Sequence, residues 1–304
     1  DENLALIAKA IEPRRQKLFR RINTAPDGTA SLVKIRGHLV ELLAKFPEFK
    51  RIDTDLKHLF ISWFNKGFLE LRRIDWESPA SVLEKLIAYE AVHEINGWDD
   101  LRGRLNTDRR CCAFFHPSMP NDPLVFVEIA LTKGVANDIS EVLSADRVLS
   151  NPTSADTVVF YSISNCHPGL AGISFGNFLL KHVVEELHGE FPQIKTFVTL
   201  SPVPGFTNWL QSIDMPALLD TKGVQLLSPE HKSSVESFIE KFFTHKAELE
   251  AKQISDEEFV EAVLEQLNSE GSYLKSAMLK LCAHYLVMVR QGRLATDPVA
   301  RFHI

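Results

Sequence analysis

Apolar positions recur at helical spacing through residues 1–106 and again beyond Trp209; between them, short apolar runs alternate with turns. Leu4, Ile7, Ala8, Ile11 and Leu18 predict a first helix ending near Asn23, followed by the turn Pro26-Asp27-Gly28. A second helix is expected over 31–46, closed by Pro47, and Asp53 is read as the N-cap of a third that carries Leu56, Phe60, Phe64 and Leu71. Ser78 and Pro79 read as the cap and first position of a fourth, and Asn96-Gly97 precedes a short helix over 98–105.

The texture changes at Arg109. Residues 111–115 and 124–131 predict an antiparallel hairpin, with Phe126 and Glu128 on one face, and 135–148 predicts a helix. The chain then centres on 157–210. An apolar strand over 157–163 leads into a loop with Gly169, Gly172 and Gly176. An amphipathic helix follows, with Phe178, Leu179, Val183, Val184 and Leu187, and then a strand over 196–200 that runs into Ser201 and the turn Pro202-Val203-Pro204-Gly205. Helices are expected over 228–252, 255–267 and 273–291. The last residues, with Val299, Phe302 and Ile304, read as an extended run that packs as a strand.

This order has chemical meaning. Glycines allow close backbone approach, and free N–H groups at a helix start attract phosphate. A serine ending the neighbouring strand lies at the same edge of the sheet, where ligands of open α/β sheets bind. The loop matches neither the dinucleotide fingerprint nor the Walker lysine pattern. On the residues alone, a tight turn packing helix on sheet explains it equally well.

Composition narrows the class. Hydrophobic residues make up 45% and charged residues 24%, ordinary for a soluble globular protein, and a net charge of -6 argues against a general nucleic-acid binder. No apolar run reaches a membrane span, and no targeting segment is visible, which gives the expectation of a cytoplasmic or organelle-matrix protein. The four cysteines show no CxxC spacing, so free thiols are expected, and Cys111 and Cys112 are placed on opposite faces of a strand. None of the 11 histidines forms a metal-ligand spacing. His284 reads as a core or interface residue, His116 ends a strand, and His167 lies in the glycine loop, where a solvated position is favoured over a phosphate contact.

Several blocks together carry a family resemblance: Phe160-Tyr161-Ser162-Ile163-Ser164, Gly169-Leu170 with Gly172 and Gly176, Leu200-Ser201-Pro202, Pro204-Gly205-Phe206-Thr207, Asp297-Pro298-Val299-Ala300 and Phe302-His303. With Arg109-Arg110-Cys111 and Asp122-Pro123-Leu124, they make the chain resemble the malonyl-CoA decarboxylase family over nearly its whole length.

The resemblance implies an all-helical oligomerisation domain over 1–106. It implies a catalytic domain over 107–304 with the mixed sheet of GCN5-related acetyltransferases (the GNAT fold) and helical insertions. It further implies conversion of malonyl-CoA to acetyl-CoA and CO2 with no metal, biotin or pyridoxal cofactor. Ser201 and His303 match the family's catalytic serine and histidine. Gly169, Ala171, Gly172, Ile173, Ser174, Phe175, Gly176 and Asn177 match its coenzyme A loop. Ser174 stands where some members carry glutamate, and Cys166 where related loops begin with Gln or Arg. The family continues beyond the histidine, so a further segment completing the pocket is expected. In this reading Ser201 orients the departing carboxylate and His303, with a pKa near about 6.5, donates a proton. An acyl-CoA N-acyltransferase of the same fold and a non-catalytic acyl-CoA sensor are the alternatives.

Overall fold

The computed structural model describes residues 13–173, 175–212, 229–251, 258, 263 and 272–303. It forms two compact units, Asp1–Ser201 and Pro202–Ile304.

The first unit opens with helices α1 (Arg14–Asn23), α2 (Gly28–Leu42) and α3 (Lys50–Trp63). Leu32 and Val33 of α2 and Leu56, Leu59 and Phe60 of α3 are almost fully buried, as their three- and four-residue spacing demands. Asp53 does not cap α3: it lies in the first turn, and its carboxylate takes a 2.8 Å ion pair from Arg36. Nor does α3 continue to Leu71. It ends at Trp63, and Glu70–Ile74 forms strand β1. Asn65 caps a short 3-10 turn there, accepting from the Gly67 N–H, and turns the chain into the edge of the sheet. Helix α4 (Ala80–Tyr89) starts after Pro79 without a side-chain cap, because the Ser78 hydroxyl accepts from the Asp75 N–H instead.

Helix α5 (Trp98–Arg104), strands β2 (Arg109–Phe115) and β3 (Val125–Thr132), and the short helix α6 (Ile139–Leu143) follow. The expected long helix over 135–148 contracts to α6, which Asp138 caps at its start. It stops at Ser144, whose hydroxyl accepts from the Asp146 N–H, while Arg147 bonds the Gly103 carbonyl at 2.6 Å. Such local polar bonds compete with helix continuation.

Strand β4 (Thr157–Asn165), helix α7 (Gly176–Glu190) and strand β5 (Thr196–Thr199) complete the layer. The sheet order is β1-β2-β3-β4-β5. The first three pairings are antiparallel; β4 and β5 run parallel. Helices cover both faces. Cys112, Phe114, Val127 and Val158 point to the core shared with α2, α3 and α7. Cys111, Ala113 and Phe126 point to α4 and α5. The mixed α/β fold behind a helical N-terminal region is therefore as expected, and the two adjacent cysteines do face opposite sides.

The second unit holds α8 (Phe206–Ser212), α9 (Pro229–Glu250) and α10 (Ser272–Met288), packed through Leu210, Val235, Phe238, Leu274 and Leu281. The helix expected over 255–267 falls almost wholly outside the described residues. A two-stranded ribbon, β6 (Arg290–Gln291) and β7 (Leu294–Ala295), leads to a helical turn, α11 (Ala300–His303). The terminal strand expected around Val299 and Phe302 is thus replaced by a helix. Asp297 is the cause: its Oδ1 accepts from the N–H groups of Val299 and Ala300 at 2.9 and 3.0 Å, as an N-cap does.

Candidate active site

Strand β4 is irregular where it matters. Glu128 pairs with Ser162 but Ile129 with Phe160, so Tyr161 is an extra residue, a β-bulge. On the other side β4 pairs with β5 only from Thr157 to Phe160, with a last hydrogen bond from the Leu200 N–H to the Phe160 carbonyl. Beyond it β4 runs on to Asn165 with no strand on that side among the described residues. Ser201 comes two residues after the final pair, half-buried and level with the bulge. Because β4 and β5 are parallel, Ser201 and the glycine loop emerge at the same end of the sheet.

The loop begins with a 3-10 turn, Pro168–Leu170. Leu170 and Phe175 are buried in the core, Phe175 edge-on to Phe64 at 6.4 Å, so both ends of the loop are anchored. Gly172 has φ +78°, the left-handed region that glycine adopts without strain. Ile173 is half-buried beside it, Ala171 is exposed, and Gly176 and Asn177 open α7. Ser174 lies outside the described residues.

The N-terminal helices grip this loop, a contact that sequence reading missed. Gly169 lies so close to α2 that a Cβ there would strike the Val33 carbonyl. Buried Arg36 donates from Nη1 to the carbonyls of Gly169 (2.7 Å) and Ala171 (2.9 Å). His167 is not solvated: it packs against Tyr89 at 5.4 Å and lies 3.5 Å from Asp122, and burial lowers its pKa. His116 is structural, its Nε2 facing the Trp63 carbonyl at 3.2 Å. His284 stacks on Trp209.

A second polar group lies under the bulge. Glu90 accepts from the Ser162 hydroxyl (2.7 Å) and the Ser164 hydroxyl (3.1 Å), and from the Val92 and His93 N–H groups. Glu128 beside it pairs with Arg104 at 2.9 Å, and burial pushes its carboxyl up to about 8. The alternation of β4 shows Ser162 and Ser164 sharing a face, but nothing local points to Glu90 as their partner. A cavity of about 740 Å³ near α5 is lined by Arg104, Arg109, Arg147 and Tyr161, and it includes neither the glycine loop nor Ser201. Of its four arginines, Arg104, Arg109 and Arg147 are committed to carboxylates and carbonyls, and Arg102 lies over the Trp76 ring.

In the second unit, the fully buried Asp297 collects the chain. Its Oδ2 accepts from the Gly205 N–H (3.2 Å) and the Tyr285 hydroxyl (3.3 Å), while its Oδ1 caps α11. The turn that follows Ser201 and the turn that carries His303 are thus held by one carboxylate. Partial desolvation lowers the pKa of His303, whose side chain is exposed overall, below its usual 6.5, which favours the uncharged imidazole at neutral pH. The thiols are no rival nucleophiles: all four are free, and burial raises the pKa of each. Among the described residues no cluster of His, Cys, Asp or Glu could hold a metal ion, and no helix is long and apolar enough to cross a membrane.

Comparison with known proteins matches this architecture over its length. Residues 1–64 fit the model of the malonyl-CoA decarboxylase N-terminal domain, and residues 67–304 fit that of the C-terminal domain. The mitochondrial malonyl-CoA decarboxylase of Anser anser anser is 36% identical over 308 residues, 97% of this chain and 58% of the relative. That of Rattus norvegicus is 35% identical over 312 residues, 97% and 60%. The chain therefore spans about three fifths of the length of the curated relatives it matches. Among solved structures, malonyl-CoA decarboxylase from Rhodopseudomonas palustris superposes with a TM-score of 0.80 at 44% identity, covering 99% of this chain and 68% of that one. The enzyme from Agrobacterium vitis gives 0.78 at 47% identity, with 99% and 68% covered. A bulged strand beside a short parallel partner, a clamped glycine loop and two family models that together span the chain lead to one assignment: the chain belongs to the malonyl-CoA decarboxylase family.

Proposed function

We propose that the protein converts malonyl-CoA to acetyl-CoA and CO2. The observation that carries this reading is the position of Ser201, level with the bulge of β4 and at the same sheet end as the glycine loop. The parallel β4–β5 pair that parts beyond Phe160 also supports the GNAT-type reading of the sheet. Coenzyme A phosphates sit against the N–H groups of the loop and the start of α7, and the thioester lies in the gap between the strands.

The chemistry needs only what the substrate brings. The bond between C2 and the carboxylate carbon breaks, CO2 leaves, and the electron pair moves into the thioester carbonyl as an enolate. C2 then takes one proton. Backbone N–H groups of β4 past the bulge stabilise the enolate oxygen, and binding energy from the coenzyme A handle orients the carboxylate. Ser201 donates a hydrogen bond to that carboxylate. His303 supplies the proton to C2. A thioester enolate is a strong carbon base, so an uncharged imidazole, acting directly or through the serine hydroxyl, is acid enough.

Exposed apolar side chains on the N-terminal helices, among them Leu18, Ile35, Leu42 and Ile61, support the further reading that residues 1–106 mediate self-association. Light scattering at micromolar concentration tests it, a monomer removing it. For the activity, purified protein is given malonyl-CoA with no acyl acceptor. Acetyl-CoA formation supports decarboxylation; no turnover without an added amine favours the N-acyltransferase reading, and binding without turnover in either condition favours a sensor.

A further inference from the structure

We infer that Lys57, on helix α3, contacts the coenzyme A pyrophosphate, an inference that rests on reading residues 169–177 as the coenzyme A loop. The geometry starts at Gly172. A Cβ built there would come within 2.6 Å of the Lys57 ammonium nitrogen and 3.0 Å of its Cε. The missing side chain is what admits the lysine head against the loop backbone.

The neighbouring charges are accounted for. Arg36 approaches the same loop, but its charge is paired with Asp53 through Nε, and its Nη1 donors are used by the carbonyls of Gly169 and Ala171. Asp53, one turn before Lys57 on α3, is thereby taken. Lys57 has no carboxylate partner among the described residues. Neither has Lys66, whose ammonium lies 4.8 Å from the ring centre of Phe178 in the first turn of α7. Two uncommitted cations therefore bracket the loop and the helix start. The loop itself, residues 165–177, contains no lysine or arginine, and the Gly172 N–H has no acceptor among the described residues.

These parts divide the labour of holding a phosphate. Backbone N–H groups fix its orientation but carry only partial charge. A lysine ammonium is a compact full charge with three rotatable donors, suited to a phosphate already oriented by something else. Arg36 is the positioning residue: it sets the loop carbonyls and leaves the lysine free. The N-terminal helices thus complete the ligand site on the sheet.

Calorimetric titration of coenzyme A and of 3′-dephospho-coenzyme A tests the assignment. Lys57→Gln is expected to weaken both about tenfold, as loss of one charge-assisted hydrogen bond would. Lys57→Met, which keeps the stem packed on Gly172, gives the same loss, and Lys57→Arg retains most of the affinity. Unchanged affinity in Lys57→Gln overturns the assignment. So does a loss confined to coenzyme A, which moves the lysine to the 3′-phosphate. Malonyl-CoA turnover by the unsubstituted protein is measured alongside. Turnover with no effect of Lys57 on affinity removes the lysine and keeps the function, whereas a Lys57-dependent affinity without turnover does the reverse.

Discussion

Arg36 donates a 2.7 Å hydrogen bond to the carbonyl of Gly169, 133 residues further along the chain. With the bond to Ala171 and the ion pair to Asp53, it ties two helices to the glycine loop. Arg36→Met leaves a half-buried carboxylate and two carbonyls without their partner. It is expected to cost about 3 kcal/mol of stability and to raise KM for the acyl-CoA. Lys57→Gln, by contrast, is expected to raise KM without lowering Tm. Thermal melting and steady-state kinetics on both variants check the difference; equal Tm for Arg36→Met and the parent protein would show that the clamp contributes nothing.

Asp297 has two jobs in the second unit, joining the Gly205 turn to Tyr285 and capping α11. Asparagine keeps the shape but turns its amide NH2, itself a donor, toward two of the four donors. Asp297→Asn is expected to lose about 1–3 kcal/mol and to lower kcat through the turn that bears His303. Denaturant titration and kcat measured on the same sample report the two effects, and a stable variant with parental kcat would make this carboxylate dispensable.

The spans of β4, α7 and β5 and the turn after Ser201 were legible because each follows from local periodicity or from Gly and Pro. So was the placing of serine and loop at one sheet end, which needs only that β4 and β5 be parallel. Other features were not. β1 was read as helix because Phe64 and Leu71 keep helical spacing, and only the Asn65-capped turn interrupts them. The closing strand became α11 because one side chain, Asp297, caps it. Arg36, Lys57 and Glu90 were missed for a common reason: each acts on residues far away in sequence, and no spacing announces such a contact. Ser201 and His303 rest on motif matches, since the hydroxyl and imidazole themselves carry no local signature.

Ser201→Ala and His303→Ala are each expected to lower kcat by about 10²–10⁴-fold with a smaller change in KM. If the two groups act together, the double variant is little worse than either single one. Multiplicative losses in that double-mutant cycle would separate their roles.

Partial desolvation lowers the pKa of His303 below its usual 6.5. Its imidazolium, the stronger proton donor, is therefore populated only on the acid side, and near neutrality the uncharged imidazole donates. Turnover at saturating malonyl-CoA should therefore rise as pH falls through that lowered pKa, and His303→Gln should remove the rise. A pH dependence unchanged in the variant assigns it to another group.

Glu128 gives a stability signature of its own. Burial raises its carboxyl from the ordinary 4.5 to about 8, so the folded state holds this proton more tightly than the unfolded chain. Its stabilising effect is complete below about pH 4.5 and is lost as pH rises to about 8. Glu128→Gln should flatten the decline of stability over that window, which chemical denaturation at a series of pH values measures.

The central claim is that the site expels CO2 from malonyl-CoA and returns one proton to C2. Running the reaction in D2O with no acyl acceptor, and weighing the product by mass spectrometry, tests it most directly. The account predicts acetyl-CoA bearing one deuterium on its methyl carbon, formed one for one with CO2. Release of free coenzyme A, or malonyl-CoA recovered intact while the protein still binds it, would contradict the account.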